Sequence, residues 1–115
     1  MSVMIDDYGF GRVTVNGRTY HSDLIIYPDR VVDSWRRQEG HNLCLEDIRD
    51  LLLYKPEVLI IGQGRAGFME VPDSVTAELR RQGIEVFAAP TEKAVQEYNR
   101  VCRSKKAVAA LHLTC

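Results

Sequence analysis

Cysteine is scarce in this chain. Three cysteines, with no Cys-x-x-Cys spacing, do not make a disulfide framework or a zinc site of the common spacings. Cys44, Cys102 and Cys115 therefore read as reduced thiols, as in a cytoplasmic protein. Cys115, as the last residue, is one place for an exposed reactive thiol. Long apolar runs are missing too. Clean apolar runs such as Val58–Ile61 fall far short of the roughly 20 residues that cross a bilayer. The opening MSVMIDDYGF shows no secretory leader and no mitochondrial presequence. Nor is there an excess of charge of either sign. Fifteen Lys+Arg against sixteen Asp+Glu leave a net charge of -1, which excludes a nucleic-acid binder held by bulk positive charge and a chain kept disordered by repulsion. No repeat, linker or low-complexity stretch divides the sequence. With 45% hydrophobic and 27% charged residues over 115 positions, the expectation is one globular domain spanning 1–115.

The texture changes once, near residue 42. Before it the signals are strands. Gly11–Val15 alternates, Asn16-Gly17 is a strong two-residue hairpin turn, and Arg18–His21 returns antiparallel. Leu24–Tyr27 is a further apolar run closed by Pro28-Asp29, and Val31–Trp35 a fourth strand. After residue 42 helix and strand alternate. Leu45, Ile48, Leu51 and Leu52 recur at helical spacing, with continuation stopped by Pro56. Glu57–Ile61 is a strand, and Pro72-Asp73 opens a helix that ends at Gly83. Ile84–Ala88 is the next strand. Thr91 is the expected N-cap of a helix with the stripe Ala94, Val95, Tyr98, Val101 and Cys102, and Ala107–Leu113 closes the chain. The fold class is α/β of mixed α+β character: N-terminal antiparallel strands, then a βαβαβ unit with buried parallel strands.

Several motifs go together. They are Tyr8-Gly9-Phe10-Gly11, Tyr20 with Asp23-Leu24-Ile25-Ile26, Trp35 with Gly40-His41, and Ile60-Ile61-Gly62-Gln63-Gly64. The most specific are Thr91-x-x-Ala94-x-x-x-Tyr98-Asn99 and Ala109-Ala110-Leu111-His112-Leu113-Thr114-Cys115. In these the chain resembles the Mth938-like family, a domain of unknown function. The resemblance implies a compact three-layer β plus β/α fold. Related eukaryotic branches include a mitochondrial assembly factor for respiratory complex I and an adipogenesis-associated protein. With no transit peptide in view, a bacterial or cytosolic member is expected. The resemblance implies no catalytic residues.

Two groups of residues are candidate sites. Gly62-x-Gly64-x-x-Gly67 follows a strand and matches the spacing of a dinucleotide fingerprint. The helix starts too late, however, and the next strand ends in Ala88-Ala89-Pro90, with no acid for a ribose. What survives is a looser anion or small-ligand site of Gly62, Gly64, Arg65 and Thr91, set against the plain reading of a tight strand exit. Trp35, Arg36, Arg37 and His41 form an exposed-looking patch of residue types favoured at interfaces, set against a tryptophan half-buried in the core. His21, His41 and His112 have no metal-ligand spacing, and His112 reads as a core or edge histidine. No Ser lies in a Gly-x-Ser-x-Gly context. The adjacent acids Asp6-Asp7 and Glu46-Asp47 point in different directions. Arg100, Arg103, Lys105 and Lys106 complement a helix dipole. The leading expectation is a non-enzymatic protein-interaction or assembly-type module with no metal, cofactor, nucleic acid or membrane span. The alternative is a small-molecule or anion-binding protein, catalytic or not, using the Gly62–Gly67 loop.

Overall fold

The computed structural model describes residues 3–114. Strands β1 (Ile5–Gly9), β2 (Arg12–Val15) and β3 (Arg18–Tyr20) form one antiparallel sheet. Next come β4 (Leu24–Ile26), β5 (Val31–Asp33), a 3-10 turn (Leu45–Ile48) and α1 (Arg49–Tyr54). Then follow β6 (Val58–Gln63), α2 (Asp73–Arg81), β7 (Glu85–Ala89), α3 (Thr91–Val101) and β8 (Ala107–His112). The second sheet has the order β5-β4-β8-β6-β7. Within it β6 runs parallel to β7 and β8, while β4 is antiparallel to β8 and β5.

The central strands are apolar on both sides because both sides are covered. Leu24, Ile26, Ile60, Ala109 and Leu111 face Val13 and Val15 of the small sheet and Ala94, Tyr98 and Val101 of α3. Ile25, Leu59, Ile61, Val108 and Ala110 face Leu51 of α1 and Val75 and Leu79 of α2. The five-stranded sheet is thus the middle of three layers. No helix among the described residues is long and apolar enough to cross a membrane.

The Asn-Gly turn forms as expected, with Asn16 at φ 48° and Gly17 at φ 83°. Strand β1 is an addition to the sequence expectation. Asp6 and Asp7 break its alternation, yet both are used in the hairpin: Asp6 accepts the Gly17 amide at 2.7 Å and Asp7 pairs with Arg12 at 2.8 Å. The first expected helix is split into the 3-10 turn and a six-residue α1. At the third helix Pro90, not Thr91, holds the N-cap position, and no side chain caps it. Thr91 has another task.

Candidate functional site

The loop after β6 carries the glycine motif, and protein acceptors take its amides. The Gly64 amide donates to Thr91 Oγ1 at 2.9 Å, and Gly64 accepts the Thr91 amide at 3.0 Å. The Arg65 amide donates to the Thr114 carbonyl, Gly67 to Gly64, and Met69 to Gln63. An anion cradle needs such amides pointing at the ligand; these point into the fold. A Cβ on Gly62 would lie 2.9 Å from both Leu111 Cδ2 and Thr91 Oγ1. The glycine therefore lets α3 close onto the sheet. Thr91 was expected to line a rim, but it is fully buried, and its hydroxyl donates to the His112 carbonyl at 2.6 Å. Of the four ligand candidates, Arg65 alone is exposed. In open α/β sheets the ligand crevice opens where successive connections leave on opposite faces. Here those connections follow β6 and β7, and the Gly64–Thr91 hydrogen bonds stitch them together.

The second candidate group is divided by burial. Trp35 is 8% exposed. It was expected at the surface, but its indole Nε1 donates to the Asp47 carbonyl at 2.9 Å and its ring lies among Ile25, Leu51 and Leu59. Arg37 stacks on that ring, 4.7 Å from its centroid, and its own side chain is buried. Arg36 stays exposed on the wall of a groove of about 560 Å³ between β5 and the Glu46–Leu51 stretch. His41 is exposed and sits beside the end of β8, its ring centroid 5.7 Å from that of His112. There its carbonyl accepts the Glu70 amide at 2.8 Å, beside the bridge between Asn42 and Glu70.

Arg37 reaches a buried polar cluster at the carboxyl end of β8. Its Nη2 lies 2.9 Å from Asp23 Oδ2 and 3.1 Å from His112 Nδ1. His112 Nδ1 is 2.8 Å from the same Asp23 oxygen, and the Leu113 amide donates to Asp23 Oδ1 at 2.8 Å. The His41 ring stands edge-on to His112, centroids 5.7 Å apart. Burial alone would raise the Asp23 pKa. Hydrogen bonds from His112, the Leu113 amide and Arg37 outweigh it and hold the carboxyl below its usual range.

The same end presents two exposed aromatic side chains, Phe10 at 56% and Phe68 at 62%. Their loops are anchored to one segment: the Gly11 amide donates to Leu113 and the Arg65 amide to Thr114. Tyr8 adds a third tie, its hydroxyl donating to the Leu113 carbonyl at 3.1 Å. Burial pushes the Tyr8 phenol up while the charge of Arg65 works against the rise.

Residues 5–113 match a family described as a protein of unknown function, DUF498/DUF598. The chain belongs to that family. A solved relative, MT938, is 32% identical, with 99% of this chain and 100% of that one covered and a TM-score of 0.81. A Bartonella henselae structure described as an outer membrane protein is 23% identical over 99% and 97% of the two chains, with a TM-score of 0.82. A Mth938-like domain from Bordetella pertussis is 22% identical over 96% and 85%, with a TM-score of 0.68. The last two likenesses carry the fold alone. They agree with the three-layer Mth938-like architecture expected above.

In this DUF498/DUF598 chain, reasoning from sequence passed over Asp23, Phe10 and Phe68 as site residues. Asp23 stood in a quoted motif but had no visible partner. Phe10 and Phe68 each follow or precede a glycine in a loop, which is the one signal available for them. Burial and the Asp47 carboxylate both push the Cys44 thiol up, and buried Cys102 lies 3.2 Å from the Met4 sulfur. Cys115 lies outside the described residues. The basic stretch after α3 is tied locally, Arg100 to Glu97 and Lys105 to Glu85.

Proposed function

We propose that this protein is a non-enzymatic interaction module that docks a partner protein on the end bearing Phe10, His41, Arg65 and Phe68. The observation that carries the reading is the exposure of two phenylalanines, 56% and 62%, on loops pinned by hydrogen bonds to residues 113 and 114. Large apolar side chains held still in water favour association, because little ordering remains to be done on binding. Aromatic residues and Arg are the types enriched at interface centres. Arg65 suits a partner whose apolar patch is edged by carboxylates. The two groups marked out in the sequence thereby contribute one member each to this end, Arg65 and His41, while Gly62, Gly64 and Thr91 frame the loop, Trp35 and Arg37 anchor the 36–43 segment, and Arg36 is exposed on the groove beside β5. An assembly role of the kind known in the eukaryotic branches is compatible with such a surface. The cytoplasm is the proposed location, supported by the Cys44 thiol. The alternative of a ligand site on the Gly62–Gly67 loop has Arg65 as its exposed cation, while the amides of Gly64, Arg65 and Gly67 are taken.

The test is affinity capture with the wild-type protein, with Phe10→Ser/Phe68→Ser, and with Leu53→Ser. Leu53 is 75% exposed on α1, away from the loops, so its variant is the control. The expected result is a partner retained by wild type and the control and lost by the double variant. Equal recovery by all three would refute the reading.

A further inference from the structure

The cluster at the end of β8 holds two polar atoms that no group among the described residues meets. Arg37 Nη1 and His112 Nε2 are both buried and both without a hydrogen-bond partner. The two side chains are 5% and 7% exposed. Buried polar atoms in folded proteins are nearly always paired, and here two unpaired ones belong to side chains in direct contact. The 3.1 Å approach of Arg37 Nη2 to His112 Nδ1 puts the two orphan atoms on neighbouring side chains of one cluster.

The protons can be placed by elimination. An arginine only donates and an ionised carboxylate only accepts. His112 Nδ1 cannot accept from Arg37 and donate to Asp23 at once. Asp23 is the nearer, at 2.8 Å, and its depressed pKa agrees with an ionised state. Nδ1–H therefore donates to Asp23. Nε2 is then a lone pair in the neutral ring and an N–H donor in the charged ring.

Charge balance supplies the next step. Arg37 and Asp23 cancel, so a neutral His112 leaves the cluster neutral. An anion brought in alone would be an uncompensated buried charge, which is costly. A proton on Nε2 restores neutrality and supplies a second donor beside Arg37 Nη1. We propose that this cluster binds one small carboxylate between Arg37 Nη1 and His112 Nε2, and that each anion enters with one proton taken from solvent onto Nε2. The groups around His112 are Asp23 before β4 and Arg37 and His41 on the 36–43 segment, with Tyr8 of β1 within reach of the Asp23 charge and Glu70 bonded by its amide to the His41 carbonyl. Arg37 also holds the exposed 38–41 stretch, donating to the Gly40 carbonyl at 3.0 Å.

The probe is formate. It is titrated into the wild-type protein at about pH 5 and about pH 8. Binding is followed by the 15N signals of the His112 ring and by calorimetry in two buffers of different ionisation heat. The expected result is movement of the Nε2 signal to its protonated position and uptake of one proton per formate. Affinity falls about tenfold per pH unit once the free ring is neutral. Arg37→Lys binds more weakly, and Arg103→Ala, an exposed cation beyond α3, binds as wild type. Affinity independent of pH, binding that leaves the His112 signals unmoved, or no binding at either pH would overturn the proposal. The wild-type spectra decide it even if Arg37→Lys fails to fold.

Discussion

Asp23 is the residue on which the candidate site turns. It is the carboxylate partner of buried Arg37 and the orienting partner of His112. Asp23→Asn should cost about 3–5 kcal/mol, the usual result of leaving one member of a buried ion pair uncompensated, read as a lower urea midpoint. The acid dependence has a definite sign. The folded pKa lies below the ordinary 3.8, so the stabilising contribution is complete above that value and is lost as pH falls through the folded value. Urea midpoints that fall between about pH 5 and about pH 3 in wild type, and fall less in Asp23→Asn, would show it. Thr91→Val is a second test at this scale. The change is nearly isosteric but leaves the Gly64 amide and the His112 carbonyl without Oγ1, for an expected loss of about 1–3 kcal/mol. Gly62→Ala should cost a similar ~1–3 kcal/mol by overpacking, because its methyl would meet Leu111 and Thr91.

At the scale of elements, α2, α3, β6 and β8 were legible because their apolar spacing is regular and their ends are punctuated by Pro56, Pro72, Gly83 and Pro90. Strand β1 was not. Its alternation is broken by Asp6-Asp7, and what holds it is distant in sequence. Asn99 on α3 accepts the Ile5 amide at 3.0 Å and donates to the Ile5 carbonyl at 2.8 Å, clasping the strand by its backbone. No pattern local to residues 5–9 announces that clasp. Asn99→Ala should loosen the small sheet before the large one. Amide exchange in β1 and β2 should quicken markedly while β6 and β8 stay protected, and equal change in all four strands would argue against the clasp. The Leu45–Ile48 turn escaped notice for a different reason, since a 3-10 turn shares the apolar spacing of the helix it precedes.

For the whole molecule, the sequence supported the layer order but not the neighbours. Nothing in Leu24–Ile26 says that it pairs with β8. Yet that pairing carries Asp23 to the end of β8, where Leu113 and His112 meet it. Residues 36–41 and 62–67 read as unrelated stretches in sequence, and only the fold shows the Asn42–Glu70 bridge between their flanks and the contact of Arg37 with His112. The tryptophan patch misled because side-chain type was visible and burial was not. Since one sheet serves both cores, unfolding should be a single transition: Trp35 fluorescence and far-UV dichroism should coincide across a urea titration. The central claim, that binding belongs to the end carrying Phe10, His41, Arg65 and Phe68, is tested most directly by hydrogen exchange on the protein bound to its captured partner. The account predicts new protection in residues 8–11, 39–42 and 64–69. Protection confined to α1 or to the β7 edge would contradict it.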